Sequence, residues 1–164
     1  VYKRQQVNTA KAKIYGGNND LSGYTATAIG TGDVNNSGDG VDLLQKVNLT
    51  IVGNSVCANF YGTSNITPSM MCTEIPGSGG EGTCFGDSGG PLFVTYNNAK
   101  VQAGIVSWGN ENCALPNEYD GYARTSALIE FIRQHAPGST IILDPDDSPV
   151  GFLPSIFLQL LNNE

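Results

Sequence analysis

An all-β fold built from short strands is what this sequence predicts, and three observations carry the prediction. Glycine supplies 21 of the 164 residues, spread through Asn- and Asp-rich stretches that favour turns. Charged residues make up only 14% against 40% hydrophobic, and no long Leu/Ala/Glu/Lys-rich run offers a bundle helix. Residues 44 to 52 alternate in side-chain character. Leu44, Lys46, Asn48 and Thr50 fall on one side and Gln45, Val47, Leu49 and Ile51 on the other. That period of two belongs to a half-buried strand.

The elements follow in chain order. Residues 1–20, with Lys11, Lys13 and a turn at Gly16 to Asp20, read as an irregular lead-in. Thr25 to Gly30 is a short β-prone run, and residues 31–42, nearly all Gly, Asn, Asp and Ser, are an exposed loop. After the 44–52 strand, Gly77 to Gly82 forms another loop and residues 86–90 a Gly-rich turn. Pro91 to Tyr96 and Val101 to Trp108 read as strands of a hairpin around Asn97-Asn98. Tyr122 to Arg124 is a further short strand. The one helix expected runs from Ala127 to His135, capped by Thr125 or Ser126 and ended by Pro137-Gly138.

Beyond Pro137 the composition shifts. Residues 139–164 hold Asp144, Asp146, Asp147 and Glu164 but no Lys or Arg. Residues 150–161 are apolar, broken by Pro154, and too short for a bilayer span of ~20 residues. The segment 137–164 reads as a linker or tail, the alternative being a piece that lies on a membrane surface. One domain, residues 21–136, is therefore expected between lead-in and tail, with no internal repeat.

Charge and cysteines narrow the function classes. The net charge is −7 with no Lys/Arg cluster, which argues against nucleic acid as a partner because phosphate contacts need concentrated positive charge. Cysteines stand at 57, 72, 84 and 113, without C-x₂-C spacing, and the single histidine is His135. Zinc is thus a poor reading, and no metal or other cofactor is implied. An even count points to two disulfides and an oxidising compartment, secreted or periplasmic, with three connectivities open. The sequence opens at Val1 without Met or an apolar signal segment, so removal of the start or truncation is expected. Asp33, Asn35, Ser37, Gly38 and Asp39 fall at the spacing of an EF-hand loop. The last position, which must chelate through a carboxylate, is Leu44, and flanking helices are lacking, so a solvated loop is expected.

Residues 82–91 read Gly-Thr-Cys-Phe-Gly-Asp-Ser-Gly-Gly-Pro. A serine between glycines presents its hydroxyl on a tight, uncrowded turn, with backbone N–H groups free to face a substrate carbonyl. Gly-x-Ser-x-Gly alone serves two enzyme architectures. An α/β-hydrolase needs a helix directly after the serine, then acid and His. Ser88, Asp120 and His135 occur in that order, but Gly-Gly-Pro and a β-type run follow Ser88. His135, late on the expected helix, reads as a surface or packing residue rather than a base.

The longer string resembles the active-site segment of the trypsin family of serine proteases. Leu43-Leu44-Gln45-Lys46-Val47 resembles the stretch after that family's interbarrel loop, and Val56-Cys57 with Met71-Cys72 its small disulfide loop. Gly104-Ile105-Val106-Ser107-Trp108-Gly109 is similar to the strand lining its substrate cleft, and Gly121-Tyr122-Ala123-Arg124 and the terminal helix follow in order. The resemblance spans about residues 20–135. It implies the second six-stranded antiparallel β-barrel of a two-barrel fold, closed by a C-terminal helix, with residues 1–20 leading in from a missing first barrel.

The resemblance also implies roles. Ser88 is the nucleophile of an acyl-enzyme mechanism, and the N–H groups of Gly86 and Ser88 form the oxyanion hole. Asp87 is a buried partner for an N-terminal amine released by zymogen cleavage, and the turn is expected to be unsettled without that amine. Cys57 pairs with Cys72 and Cys84 with Cys113. Gly82, Thr83, Phe85, Ser107, Trp108, Gly109 and Asp120 are the substrate-binding positions. Gly82 stands at the pocket floor where trypsins proper place an Asp. Asp120 replaces a wall Gly and can supply the negative charge for Lys or Arg from another side, unless it faces solvent and the pocket is a plain apolar slot. Ser107 to Gly109 would hold substrate backbone as an added strand.

Thr31 replaces the Trp of a Gly-Trp-Gly, and Asn35, Asn48 and Asn65 begin glycosylation sequons. The family's Ala-Ala-His-Cys base segment and its orienting Asp have no counterpart in this sequence. The chain is therefore expected to be a fragment with negligible proteolysis by itself, cutting protein or peptide substrates only with the missing N-terminal barrel. The competing reading is a non-catalytic homologue serving as a binding module.

Overall fold

The computed structural model of the chain describes residues 11–35 and 37–145. Its strands are β1 Lys13–Tyr15, β2 Thr25–Gly30, β3 Gln45–Val52, β4 Met70–Glu74, β5 Pro91–Tyr96, β6 Ala99–Trp108, β7 Tyr119–Arg124 and β8 Ile141–Ile142. They hydrogen-bond in the order β5-β2-β3-β4-β7-β6-β1-β8, and β5 also pairs with β6. Six antiparallel strands thus close on themselves as a barrel, which leaves no free edge among them. β1 and β8 add in parallel on the flank of β6. A closed six-stranded barrel with a short C-terminal helix is the architecture that the resemblance implied.

Local sequence explains the barrel strands. Along β3, Leu49 and Ile51 are buried while Lys46, Asn48 and Thr50 are exposed, so the period of two holds. Leu43 and Leu44, read as the approach and start of that strand, are exposed and precede it. In the β5–β6 hairpin Asn97 and Asn98 have φ of +47° and +59°. Two consecutive positive φ values define the turn whose twist suits paired strands, and Asn tolerates them better than most residues. The core joins Ala26, Ile51, Met71, Leu92, Val101 and Tyr122, all nearly inaccessible to solvent.

Several elements differ from the sequence expectations. A helix, α1 Asn54–Tyr61, follows β3, so the expected single helix is not alone. Gly53 begins it without a side-chain cap, and Gly62, at φ +96°, ends it by donating its N–H to Ala58 O. The terminal helix starts as a 3₁₀ turn, Thr125–Leu128, and becomes α-helical only over α2, Ile129–His135. Neither Thr125 nor Ser126 caps it. Thr125 is buried, and its Oγ1 lies 2.8 Å from Tyr15 O and 3.0 Å from Ala103 O. The hydroxyl ties β1 to β6 instead.

The segments read as irregular lead-in and as tail meet each other. Ile14 N–H donates to Thr140 O and Gly16 N–H to Ile142 O. Asp144 is only 2% exposed. Its Oδ1 accepts the Tyr15 and Tyr96 hydroxyls at 2.8 and 2.6 Å, and its Oδ2 accepts Asn19 N–H at 2.6 Å. Gly17 allows this seat, because a Cβ there would collide with the Asp144 carboxylate. Burial works to raise the Asp144 carboxyl, but the Tyr96, Tyr15, Asn19 and Asn18 donors outweigh it and hold it below the ordinary aspartate value. The apolar stretch 150–161, with Asp146, Asp147 and Glu164, lies outside the described residues. No helix among the described residues is long and apolar enough to cross a membrane.

Candidate active site

The turn that carries Ser88 is built from backbone hydrogen bonds on three sides. Asp87 N–H donates to Cys84 O and Gly90 N–H to Asp87 O, closing two successive turns. Gly89 N–H donates to Val106 O and Val106 N–H to Gly90 O, which fastens the turn to β6 beside Ser107. Cys84 is bonded to Cys113 and Cys57 to Cys72, the pairs that the resemblance implied. One bridge anchors the start of the turn, and the other joins α1 to β4.

Ser88 is exposed at the apex. It borders a cleft of about 220 Å³ lined by Thr83, Phe85, Val106, Ser107, Trp108, Gly109, Asn110 and Glu111. Gly86 holds φ at +92°, and a Cβ there would sit 3.2 Å from Gly32 Cα, so both conformation and space call for glycine. Phe85 O accepts Asp33 N–H at 2.8 Å. The peptide is trans, so Gly86 N–H points away from Asp33. Among the described residues neither Gly86 N–H nor Ser88 N–H has a hydrogen-bond acceptor. Two uncommitted donors thus flank an exposed hydroxyl, a pattern that can receive a carbonyl oxygen gaining negative charge.

Asp87 is turned inward. Its Oδ1 accepts Gly32 N–H at 2.9 Å and its Oδ2 accepts Cys84 N–H at 3.0 Å. These two backbone donors hold the Asp87 carboxylate against the turn. Asp87 also lines a second cavity of about 470 Å³ between Gly30–Val34, Gln45–Asn48 and Gly80–Cys84. Gly82 lines that cavity, which shares Thr83, Cys84, Val106 and Cys113 with the cleft beside Ser88.

Asp120 does not face solvent, being only 2% exposed. Its Oδ2 accepts the Thr83 N–H at 2.6 Å and the Thr83 hydroxyl at 2.9 Å. A Cβ at Gly82 would lie 3.1 Å from Oδ2, and one at Gly109 would lie 3.0 Å from Oδ1. The carboxylate therefore stands behind the cleft wall made by Thr83 and Gly109. Burial pushes its carboxyl above the ordinary aspartate value; the two Thr83 bonds pull against that, and the Asp87 and Glu118 charges add to it.

Sequence reading missed the support behind Trp108. Tyr61 of α1 meets the indole edge-to-face at a centroid distance of 5.0 Å, and its hydroxyl donates to Tyr119 O at 2.8 Å. The Phe60-Tyr61 pair ahead of Gly62 was the available signal, but only with α1 in place does it reach β6. Asn110 and Glu111 on the cleft rim, and Asp33 behind Phe85, were also not assigned. His135 is exposed on α2; its Nδ1 lies 2.9 Å from Phe131 O and its ring stacks on Phe131. Asp33, from the calcium-like spacing, turns its carboxylate onto Asn35 and Gly38 N–H groups of its own loop. No cluster of three metal-ligating side chains occurs among the described residues.

Comparison with known proteins agrees with this geometry. The trypsin family model matches residues 4–132. A trypsin-1 from Astacus astacus is 38% identical over 118 residues, covering 70% of this chain and 49% of that protein. A trypsin from Saccharopolyspora erythraea is 38% identical over 120 residues, with the same coverages. A venom protease from Bombus pensylvanicus is 37% identical over 116 residues, 70% of this chain and 46% of its own length. The chain spans about half the length of the curated relatives it matches. On the closed barrel and these matches together, the chain belongs to the trypsin family.

Proposed function

We propose that this chain is the nucleophile-bearing barrel of a secreted serine endopeptidase that cleaves protein or peptide substrates through an acyl-enzyme. The observation that carries the reading is Ser88, exposed on a cleft between two N–H groups that no acceptor among the described residues occupies. In the first step Ser88 Oγ attacks the scissile carbonyl, and the proton leaves to a general base. The carbonyl oxygen becomes an oxyanion between Gly86 and Ser88 N–H; its collapse, with the base returning its proton to the leaving nitrogen, expels the amine and leaves an ester on Ser88. Water then reverses the sequence. Ser107 to Gly109 pair with substrate backbone as an added strand.

The base must come from elsewhere. The sole histidine, His135, is committed to the surface of α2, so a second barrel is the source of the base and its orienting carboxylate. The cavity beside Asp87 has the volume for an apolar N-terminal residue whose amine would meet that carboxylate. Asp120, pressed against Thr83 and Gly109, supplies a negative charge for Lys or Arg side chains. Two disulfides fit an oxidising compartment.

The test joins this chain to an upstream barrel carrying the Ala-Ala-His-Cys segment and follows peptide-amide hydrolysis. The joined protein should turn over substrate, Ser88→Ala should remove ~10⁶ of kcat, and the chain alone should be inert. Ser88-dependent turnover by the isolated chain would contradict the need for an external base, and hydrolysis surviving Ser88→Ala would contradict the nucleophile.

A further inference from the structure

We infer that Asp33 is a positioning residue for the oxyanion site, holding its loop so that its own N–H grips the Phe85 carbonyl and aims the Gly86 N–H at the cleft. The inference rests on Ser88 being the nucleophile. Asp33 is 5% exposed, and its carboxylate accepts the N–H groups of Asn35 and Gly38. Those two bonds fold the loop after β2 back on itself and set the direction of the Asp33 amide. That amide reaches Phe85 O at 2.8 Å, while the preceding N–H, of Gly32, reaches Asp87 Oδ1 at 2.9 Å. Successive amides of one loop thus hold the nucleophile turn on both sides of Gly86.

The peptide between Phe85 and Gly86 has two useful orientations. In one the N–H faces the cleft; in the other the carbonyl does, placing partial negative charge against a developing oxyanion. Asp33 N–H favours the first, because rotation would leave that donor without its acceptor. The acidic, Asn-rich spacing that imitates a calcium loop gains a role in which amides of the same loop donate to the carboxylate.

The experiment compares Asp33→Ala, Asp33→Asn and Asp39→Ala with wild type in the enzyme assembled with its upstream barrel. Losing one such hydrogen bond predicts about a five- to tenfold fall in kcat for Asp33→Ala, with KM unchanged. A peptide boronate, which forms an oxyanion-like adduct on serine, should weaken by the same factor, whereas a non-electrophilic peptide competitor should bind as before. Asp33→Asn keeps one acceptor and should lie between. Asp39→Ala, exposed in the same loop, should match wild type. Amide exchange at position 33 should accelerate in folded Asp33→Ala. Equal weakening of both inhibitors, or unchanged kcat with faster exchange, would overturn the inference. Activity that survives Ser88→Ala would instead sink the underlying assignment of the nucleophile.

Discussion

Asp120 meets two opposed demands. Burial disfavours its charge, while the Thr83 N–H and hydroxyl stabilise it. On the proposed reading that charge selects basic side chains, so Asp120→Asn should lower kcat/KM after Lys and Arg by roughly 30- to 100-fold, about 2–3 kcal/mol, and spare apolar substrates. A matched set of peptides differing only at the cleaved residue measures this, and unchanged cleavage after Arg and Lys contradicts it. The raised carboxyl adds a pH signature. Its anion is lost as pH falls through a value above the ordinary ~3.9, so the preference for basic residues should fade at higher pH than an exposed aspartate would allow. Stability moves the other way, since protonation removes the burial penalty on the anion. Gly86 is the second sensitive position. At φ +92° and hard against Gly32, Gly86→Ala should cost ~1–3 kcal/mol of stability by chemical denaturation and lower kcat along with it.

Among the elements, β8 and β1 have the most to gain from each other. β8 has two residues and β1 three, too few to persist alone. Their pairing rests on Asp144 seated between Tyr15, Tyr96 and Asn19. Asp144→Ala removes bonds to a charged acceptor and leaves the buried Tyr15 and Tyr96 hydroxyls without their carboxylate, predicting a loss of about 2–4 kcal/mol. Because the folded carboxyl is held low, its stabilisation is complete above the unfolded value of ~3.9 and is lost as pH falls below it. Proteolytic nicking after Pro137 should therefore accelerate below about pH 4 in wild type and be pH-insensitive in Asp144→Ala; identical rates would contradict the latch.

The same elements show what local sequence can and cannot reveal. The β5–β6 hairpin was legible because Asn97-Asn98 and its flanking apolar runs encode turn and strands together. The β1–β8 pair was not, since short parallel strands take their stability from residues more than a hundred positions away, and Asp144 reads as a tail residue until Tyr15 surrounds it. α1 escaped for a different reason. Only Cys57 on it is buried, so no apolar stripe marks it, and the bond to Cys72 holds it down.

For the molecule as a whole, barrel closure and two bridges keep the Ser88 turn in place. The Cys84–Cys113 link spans 29 residues and Cys57–Cys72 spans 15. Chain-entropy arithmetic gives each about 3–4 kcal/mol. Replacing either pair with serines should lower stability similarly in denaturant titrations. Activity should not follow suit, because only Cys84 adjoins Asp87 and Ser88, so the Cys84/Cys113 double variant should lose far more kcat. Equal activity losses would contradict a special role for that bridge. The candidate site was legible where it is contiguous, over residues 82–91, and obscure where the fold assembles it. The Asp120–Thr83 contact, the Tyr61 prop behind Trp108 and the Asp33 grip on Phe85 all join segments 37 to 52 positions apart, and no local pattern announces them.

The central claim is that Ser88 is a nucleophile whose activation depends on a second barrel. A peptidyl phosphonyl fluoride, with the adduct mapped by mass spectrometry, tests it directly. The joined two-barrel protein should gain one adduct, on Ser88, and lose activity in step, while this chain alone should stay unmodified under the same exposure. An adduct on another residue, or equally rapid labelling of Ser88 in the isolated chain, would contradict it.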